Sequence, residues 1–499
     1  MKFDVNFKEL IRGGVVPLRG ENNFSVWVKI MCNNITSSQL EKLADISEKY
    51  GKGYFLLTTN QIPIIPHVKG SDIPKVRKEL EQVKAEFEAC GSRIRSVKVC
   101  YSNNLCPYAK TNPMSLGEKL DRFFYIRDLR HKMKIVVAGC EKGCTIPRAL
   151  GDVGFVGVDS GKYDVYFGGR LGLKPNIGVK IAENLSEEEC VVLLENYVEL
   201  LRERFHKEER AADVLEVLGL DEVKKALTRD LKRKPSIEFG KCETKINEKE
   251  KKTVVRVKAL CGEITSNQAR KLAEIARKYG RGFIHIGVRG TPEIPYVDEK
   301  DVDRILTELK FVGLEILNIG VIQKKGFDNM ITCFGKDCLH SNANTQSLLK
   351  KIDKVIKEMK LETPGVFKIS ASGCPNNCAL SPLSNLGFTG VVEVEVIPEK
   401  CNGCNLCVLN CKVKAITLTN GKAVIDREKC KNCGECMRIC PTDAIAAKRY
   451  GFMVYRGGRD LNIDKTRLGV EGEKFLTEEE ALQVFKEEVM NFVERRKNT

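Results

Sequence analysis

Hydrophobic and polar residues follow the same short pattern in two distant parts of the chain. Leu43, Ile46 and Tyr50 recur at helical spacing and form one apolar face of a predicted helix. The segments TSSQ at 36–39 and TSNQ at 265–268 are typical of the capping boxes that begin such helices. The apolar runs VWVKIM and GYFLLTT, which flank the first helix, have the length of strands. The pattern therefore predicts a strand–helix–strand module in each place.

The second module is a copy of the first. Residues 32–68 and 261–297 align without a gap at an offset of 229, and 17 of the 37 positions are identical. The segments YDVYFGGRLG at 163–172 and FMVYRGGRDL at 452–461 also resemble each other, and each precedes an acidic helix. The chain is therefore a long duplication, with a further segment inserted before the second of these tails.

Length and charge exclude some classes of function. At 499 residues the chain is long enough for about two to four domains, and no run approaches the roughly 18 apolar residues of a membrane span. The start MKFDVNFKEL has no apolar core like that of a signal peptide, so we expect a cytoplasmic protein without membrane contact. The net charge of +16 suits nucleic acid, polyanionic cofactors or small anionic substrates, and charge alone does not choose between them. Because the chain has no Lys/Arg block, we expect no nucleic-acid partner.

The inserted segment has the cysteine spacing of an iron–sulfur protein. Twenty-one cysteines favour metal binding over disulfides here, and residues 401–411 and 430–440 both have the pattern C-x2-C-x2-C-x3-C. This resembles the bacterial ferredoxin with two [4Fe–4S] clusters, in which the fourth cysteine of each run binds the other cluster; zinc is the alternative. The resemblance implies a first insert set and a second insert set, namely Cys401, Cys404, Cys407 and Cys440, and Cys430, Cys433, Cys436 and Cys411.

Two further groups of four cysteines, one in each half, have another spacing. The first-half quartet has C-x5-C and the second-half quartet C-x4-C, each followed by G-C-x3-C, and their members are Cys100, Cys106, Cys140 and Cys144, and Cys333, Cys338, Cys374 and Cys378. This arrangement resembles the sulfite and nitrite reductase family, in which a sirohaem iron is joined to a [4Fe–4S] cluster through the last cysteine. The resemblance implies sirohaem at Cys378 and four clusters per chain. The remaining cysteines, which we expect to be buried apolar residues, are Cys32, Cys90, Cys190, Cys242 and Cys261.

The resemblance also implies the fold class and the domains. We expect an α+β protein in which a ferredoxin-like α/β module and a sirohaem/[4Fe–4S] domain occur twice, with an inserted ferredoxin domain that contains both insert sets. The expected boundaries are 1–88 and 89–205 for the first half, 206–252 for a solvated, charged helical linker, 253–325 and 326–395 plus 449–499 for the second half, and 396–448 for the insert.

Site residues follow from the family pattern position by position. Lys132 and Lys134 match its K-x-K strand, and Arg95, five residues before Cys100, matches an arginine that leads into the site. Such cations attract an anion and relay protons. Lys29 stands where the family has an arginine. Implied sirohaem contacts are Gln61, Asn60 in place of an arginine, and the arginines of the two Gly-Gly-Arg segments, Arg170 and Arg459.

The second half lacks the full cationic set. It has Phe367-Lys368 where the first half has two lysines, and Asp328 where the first half has Arg95. In the family each cluster works with basic residues of the opposite half. We therefore predict one working site at Cys378 and one vestigial site at Cys144 that keeps its cluster.

The resemblance implies six-electron reduction of sulfite to sulfide, with electrons that enter through the insert. Reduction of nitrite to ammonia is the alternative on the same residues, and a non-catalytic electron-transfer subunit is the alternative of another class. The sequence has no nucleotide or flavin fingerprint, so we expect an external low-potential donor, of which a ferredoxin is the simplest. The sequence is compatible with a homo-oligomer.

Overall fold

The computed structural model describes residues 7–101, 105–125, 127, 129, 131–205, 209–236 and 252–497. The helices of these residues are α1 (Phe7–Arg12), α2 (Ser37–Tyr50), α3 (Ile73–Glu81), α4 (Pro113–Phe124), α5 (Pro147–Leu150), α6 (Glu187–Arg204), α7 (Ala211–Leu218), α8 (Leu220–Leu227), α9 (Ser266–Tyr279), α10 (Val302–Phe311), α11 (Thr345–Glu358), α12 (Leu406–Asn410), α13 (Glu435–Arg438) and α14 (Glu478–Lys497).

The strands of the first half and of the second module are β1 (Val15–Pro17), β2 (Asn23–Lys29), β3 (Asn34–Thr36), β4 (Tyr54–Leu57), β5 (Pro63–Lys69), β6 (Glu86–Phe87), β7 (Lys98–Val99), β8 (Ile135–Ala138), β9 (Val153–Val158), β10 (Lys162–Phe167), β11 (Val179–Leu185), β12 (Thr253–Lys258), β13 (Glu263–Thr265), β14 (Phe283–Ile286), β15 (Pro292–Val297) and β16 (Glu315–Ile319). The later strands are β17 (Gly326–Phe327), β18 (Ile331–Thr332), β19 (Val366–Phe367), β20 (Ile369–Ser372), β21 (Leu386–Val396), β22 (Ile416–Thr419), β23 (Lys422–Ile425), β24 (Ile445–Arg456) and β25 (Val470–Glu471).

The chain divides into two compact units. Unit 1 contains Met1–Arg170, Asn176–Gln323 and Asp460–Thr466, and unit 2 contains Leu171–Pro175, Lys324–Arg459 and Arg467–Thr499. Both strand–helix–strand modules therefore lie in unit 1, together with the first-half quartet. The second-half quartet and the insert lie in unit 2.

The two modules of unit 1 exchange a strand. One sheet has the order β1-β2-β5-β4-β13 and the other β16-β12-β15-β14-β3, so that each module contributes a short strand to the sheet of the other. α2 and α9 pack together, and the hydroxyls of Ser47 and Ser266 lie 2.9 Å apart in the buried contact. Both predicted capping boxes are confirmed, because the hydroxyls of Thr36 and Thr265 accept from the backbone N–H groups of Gln39 and Gln268.

The cysteine-bearing half-domains share one sheet order. In unit 1 the order is β7-β8-β9-β10-β11, and in unit 2 it is β18-β20-β21-β24-β25. The first three strands are parallel in each sheet, and the remaining pairs are antiparallel. The predicted α+β fold with a duplicated half is thereby confirmed.

The insert lies at the end of a long hairpin. β21 and β24 pair from Leu386 opposite Arg456 to Val396 opposite Ile445, so the ends of the insert are adjacent. The sheet therefore accommodates the extra domain without a change in its own pairing. Within the insert, β22 and β23 form a hairpin, and α12 and α13 pack against each other.

The predicted solvated linker is wrong in its first part. α7 and α8 place Ala211, Val214, Val223 and Leu227 in the buried core of unit 1. Apolar residues at helical spacing within the charged stretch account for this packing, because one face of each helix excludes water while its charges face outward. Residues 237–251 and Cys242 lie outside the described residues. The other four remaining cysteines are buried, as expected: Cys32, Cys90, Cys190 and Cys261.

Among the described residues, no helix is both long and apolar enough to cross a membrane.

Candidate functional site

Each half presents a pair of cysteines on a tight loop after a buried strand. β8 leads into the loop at 140–144, and β20 into the loop at 374–378. Two residues beyond each loop the backbone is left-handed, at Ile146 (φ 58°) and Leu380 (φ 65°). This conformation is costly for side chains with a Cβ, and most of all for a β-branched one, so both loops are held by their surroundings.

Backbone N–H groups point at sulfur in the same way in both halves. The N–H of Gly139 donates to Cys100 Sγ at 3.1 Å, and the N–H of Gly373 donates to Cys333 Sγ at 3.1 Å. Donors of this kind stabilise the negative charge of a cluster and its thiolates. The duplicated geometry means that both halves keep the donor arrangement.

The first-half quartet lines a single cavity of unit 1. Its four cysteines share the cavity with Tyr101, Val321 and Ile322. The hydroxyl of Tyr101 donates to the Glu293 carboxylate, which also accepts from Arg256 Nε at 2.9 Å. Four thiols around one cavity are the donor set of a cubane cluster, so these residues fit that group.

The second-half quartet has one exposed thiol. Cys374 is buried, Cys333 and Cys338 are partly buried, and Cys378 is exposed. Burial and the nearby thiols of Cys378 and Cys338 raise the pKa of Cys333 to about 12. Burial and the thiols of Cys378, Cys333 and Cys338 also raise the pKa of Cys374, so the four side chains lie near one another, and Cys378 is the exposed one.

The eight insert cysteines form two groups. One cavity is lined by the first insert set, Cys401, Cys404, Cys407 and Cys440. Another cavity is lined by the second insert set, Cys411, Cys430, Cys433 and Cys436. This is the exchange of fourth ligands that the ferredoxin resemblance implies. The N–H groups of Ala415 and Ala444 donate at 3.2 Å to Cys411 and Cys440, so the two runs repeat each other's geometry.

The second insert set lies beside the second-half quartet. The cavity that contains this set is also lined by Cys374 and Asn376 of the second-half loop and by His340. All of these residues belong to unit 2. Ligands of two cluster sites therefore face one common space.

Two lysines of unit 1 meet at Asn60, the predicted Lys134 and also Lys98. Lys134 Nζ donates to Asn60 Oδ1 at 3.1 Å, and Lys98 Nζ donates to the carbonyl oxygen of Asn60 at 2.7 Å. Lys132 lies two residues before Lys134, and both are partly buried while Met133 between them is buried. The K-x-K segment thus presents both lysines on the side opposite Met133.

Lys132 and Lys98 are buried among other cations. Burial, together with repulsion from Lys134, Arg95 and Arg210, lowers the pKa of Lys132 to about 7. Burial lowers the pKa of Lys98 to about 8, although the carboxylate of Glu88 acts in the opposite direction. Such a group of cations favours the binding of an anion, because the anion's charge offsets both burial and repulsion.

Arg95 and Gln61 are buried and partly satisfied. The guanidinium of Arg95 donates to the carbonyl oxygens of Ala89 and Gly91, while its Nε is buried without an acceptor. Gln61 has a left-handed backbone (φ 55°), and its Nε2 donates to the carbonyl oxygen of Ile286 at 2.8 Å. Gln61 Oε1 is buried without a donor. Each side chain retains a polar atom that a ligand could satisfy.

Lys29 contacts two carboxylates and an aromatic ring. Its ammonium lies 3.0 Å from Asp121 and 3.4 Å from Glu86, and 3.3 Å above the ring of Tyr125. These partners neutralise its charge and fix its position. We therefore leave Lys29 out of the proposed anion site, and its predicted role there stays a prediction.

The two Gly-Gly-Arg segments have different surroundings. Arg170 pairs with the carboxylate of Asp213 at 2.5 Å. Arg459 forms a backbone bridge with Arg467. Their contact with sirohaem stays a prediction. Arg289, the counterpart of Asn60 in the second module, is 2% exposed and lies 3.9 Å from Asp460.

The structure identifies two residues that sequence reasoning missed. Lys98 is 2% exposed, and a lysine between the valines of the strand RSVKVC was a signal that could have revealed it. Asn342 contacts the insert and Gly373, the residue before the second-half loop, and it had no such signal, because a single Asn before a helix is typical of an ordinary cap.

Comparisons with known families match most of these regions. Residues 90–235 match the nitrite and sulphite reductase 4Fe–4S domain. Residues 17–83 and 246–312 match the nitrite/sulfite reductase ferredoxin-like half domain, once for each module. Residues 400–444 match a 4Fe–4S dicluster domain. Iron–sulfur clusters are thus supported in the first half and in the insert.

Individual relatives point in the same direction. The chain is 29% identical over 216 residues to a nitrite reductase [NAD(P)H] of Bacillus subtilis, which is 43% of this chain and 26% of the relative. It is 31% identical over 235 residues to one component of the anaerobic sulfite reductase of Salmonella typhimurium, which is 44% of this chain and 67% of the relative. The fold is similar to that of the Mycobacterium tuberculosis NirA protein, with a TM-score of 0.72 and 17% identity over 97% of this chain and 86% of that one.

One family accounts for the half-domain modules, the cysteine loops and these relatives. The family implies sirohaem in addition to clusters, and the buried cations of unit 1 suit the carboxylates of such a group. The chain belongs to the nitrite and sulphite reductase family of oxidoreductases.

Proposed function

We propose that this chain reduces sulfite to sulfide at a sirohaem–[4Fe–4S] centre bound by the second-half quartet, with electrons that arrive through the insert. The observation that carries the proposal is the cavity that Cys374 shares with the second insert set. Ligand groups on one cavity are suited to the passage of electrons between their clusters. The sulfite reductase named among the relatives supports the choice of substrate.

The basic residues of unit 1 are proposed to act on the anion. Sulfite takes up six electrons and six protons to give sulfide and three water molecules. Lys132, with its pKa of about 7, holds a proton that it can release near neutral pH. Lys134, Lys98 and Arg95 supply positive charge that binds sulfite or the carboxylates of sirohaem, and a fixed charge of this kind needs no reorganisation during the reaction.

The cysteine groups are proposed to bind four clusters. When bound, sirohaem and its cluster would supply the redox chemistry, and the protein would hold their ligands, exclude water and position the anion. Cys378 is the proposed link to the sirohaem iron. The first-half quartet would keep a cluster for structure or electron passage. An external low-potential one-electron donor, such as a ferredoxin, would reduce the insert.

Spectroscopy and turnover test the proposal together. Protein purified without oxygen should show the Soret and Q bands of sirohaem, and should reduce sulfite with a low-potential dye as donor. The absence of these bands in fully iron-loaded protein would favour the non-catalytic electron-transfer subunit and would overturn the enzyme assignment.

Nitrite is the second candidate substrate, because one relative is a named nitrite reductase. Steady-state rates with sulfite and nitrite under the same donor decide between the two. A higher specificity constant for nitrite would replace sulfite in the proposal and leave the assigned residues unchanged.

A further inference from the structure

One buried residue of unit 2 connects the insert to the segment that leads into the second-half loop. Asn342 is 6% exposed, and its Nδ2 donates to the carbonyl oxygens of Cys433 and Gly390 at 3.3 Å each. Its backbone N–H donates to the carbonyl oxygen of Gly373 at 2.6 Å. Cys433 belongs to the second insert set, and Gly373 directly precedes Cys374.

The orientation of this amide is determined by Arg438. The guanidinium donates to Asn342 Oδ1 at 2.5 Å, to the carbonyl oxygen of Cys433 at 2.8 Å and to that of His340 at 3.0 Å. Because a guanidinium has only donors, the amide atom that faces it must be the oxygen. The NH2 group is therefore left for the two carbonyls, and every hydrogen-bonding group of the Asn342 side chain is used.

A short bonded path follows from these contacts. From Cys433 it crosses one hydrogen bond to the Asn342 side chain, continues along that residue to its N–H, and crosses a second hydrogen bond to Gly373 and Cys374. Electrons couple more strongly through bonds and hydrogen bonds than across an empty gap of equal length. Asn342 therefore supplies a direct connection between ligands of two cluster sites.

The duplication provides an internal comparison. In the first half the N–H of Lys110 donates to the carbonyl oxygen of Gly139 at 2.8 Å, which is the bond that Asn342 makes to Gly373. The Lys110 ammonium instead pairs with Glu141 at 3.2 Å and Asp159 at 3.0 Å on the surface. The backbone bond is thus common to both halves, and the amide side chain occurs in the half that carries the insert.

We propose that Asn342 is a positioning residue for electron transfer from the second insert set to the second-half quartet. The inference rests on the proposed function, in which the insert delivers electrons. In each event one electron leaves the insert site, which is oxidised, and enters the Cys374 site, which is reduced. A low-potential one-electron donor then restores the insert site. Arg438 supports the same step because it orients the amide.

Rapid reduction of the holoenzyme tests this role. In Asn342→Leu, dithionite-reduced viologen should reduce the insert at the wild-type rate. The following reduction of the second-half site should slow by about tenfold or more, which is the size of rate loss that a small misplacement of reacting groups causes. The magnetic interaction between the two reduced clusters in the EPR spectrum should weaken. Lys110→Leu is the matched control and should show wild-type kinetics and spectrum.

The outcomes separate this inference from the proposed function. Wild-type kinetics and an unchanged EPR interaction in iron-loaded Asn342→Leu would overturn the role of Asn342. If Cys436→Ser also left the second-half reduction unchanged, the electron route through the insert would be wrong as well. Should Asn342→Leu lose iron, iron-loaded Arg438→Gln decides, because it removes the donor that orients the amide and leaves Asn342 itself in place. Slowed transfer in Arg438→Gln supports the inference, and a wild-type rate overturns it.

Discussion

At the scale of single residues, two glycines determine how closely each cysteine loop approaches the strand beside it. A Cβ atom on Gly157 would overlap the carbonyl oxygen of Gly139, and one on Gly390 would overlap that of Gly373. Both carbonyls lie directly before the C-x3-C cysteines. Each glycine is the last residue of a Gly-Phe-x-Gly segment, at 154–157 and at 387–390, and backbone packing behind the loop requires it there.

Gly390→Ala should displace the second-half loop, because the added methyl group meets backbone that cannot rotate away. We expect a loss of about four iron per chain, the content of one cubane cluster, with the insert clusters retained. Gly157→Ala should have the matching effect on the first-half quartet. Iron analysis and EPR of both proteins check this prediction, and full iron content in either variant contradicts it.

The lowered pKa of Lys132 predicts an unusual pH dependence of the free energy of unfolding. The pKa is about 7 in the folded protein and near 10.4 in an unfolded chain, so the unfolded chain binds more protons between these values. The contribution of Lys132 to stability therefore rises with pH from about 7 to 10.4 and is least favourable below 7. The groups that interact electrostatically with Lys132 are the cations Lys134, Arg95, Arg210 and Lys98 and the thiol of Cys90.

Lys132→Met removes the unfavourable burial of a charged lysine. Without added anion, the variant should melt at a higher temperature than wild type at pH 6, and the difference should shrink towards pH 10. Sulfite at pH 6 should stabilise wild type more than the variant, because the anion compensates the charged lysine. Equal melting curves at pH 6 would contradict the electrostatic account.

Lys368, the one lysine that the second half has where the first half has two, lies beside an acidic side chain. Lys368 Nζ lies 3.8 Å from the carboxylate of Asp328, and both side chains are buried. Removal of Lys368 alone would take a cation away from a buried carboxylate and would destabilise the fold. The functional comparison therefore needs the double variant Lys368→Met with Asp328→Leu.

Loss of Lys132 should affect turnover far more than loss of the Lys368–Asp328 pair. Lys132→Ala should reduce turnover by about 100-fold or more, the scale of a lost positioned donor, while the double variant should stay within a few-fold of wild type. Rates are measured at saturating dye and sulfite. Equal losses would mean that both halves contribute working cations, and the predicted asymmetry would be wrong.

At the scale of elements, periodicity and motifs predicted local structure well and long-range pairing poorly. The capping boxes and the α2 helix follow from adjacent residues, which is why they could be read from the sequence. The exchange of β3 and β13 could not be predicted, because a strand of three residues is too short for its hydrophobic pattern to specify the strand with which it pairs. The same holds for the site: cysteine spacing indicated the ligands, while Lys98 and Asn342 became visible only through contacts distant in sequence.

The insert is the element through which electrons are expected to enter. Cys436→Ser should damage the second insert set and slow turnover with a protein donor, because Cys436 lines the cavity that this set shares with Cys374. The sirohaem absorption should persist, since the insert would carry electrons and not the tetrapyrrole. Turnover and the visible spectrum are recorded on the same preparation. Loss of sirohaem with the fold intact would contradict the division of roles.

At the scale of the whole molecule, the duplication and the insert together determine how much metal the chain should bind. Cysteines line cavities in groups of four in the first half and twice in the insert, and the second-half quartet repeats the first in its loop geometry and its N–H to sulfur bond. Four such groups predict about 16 iron from cubane clusters, and one or two more from sirohaem. Anaerobically prepared, fully loaded protein should approach this number by iron analysis. Cys144→Ser and Cys378→Ser should each damage one cluster, and Cys378→Ser should also remove the sirohaem bands. A content of eight iron or fewer in the loaded wild-type protein would confine the clusters to the insert and would contradict cluster binding in both duplicated halves.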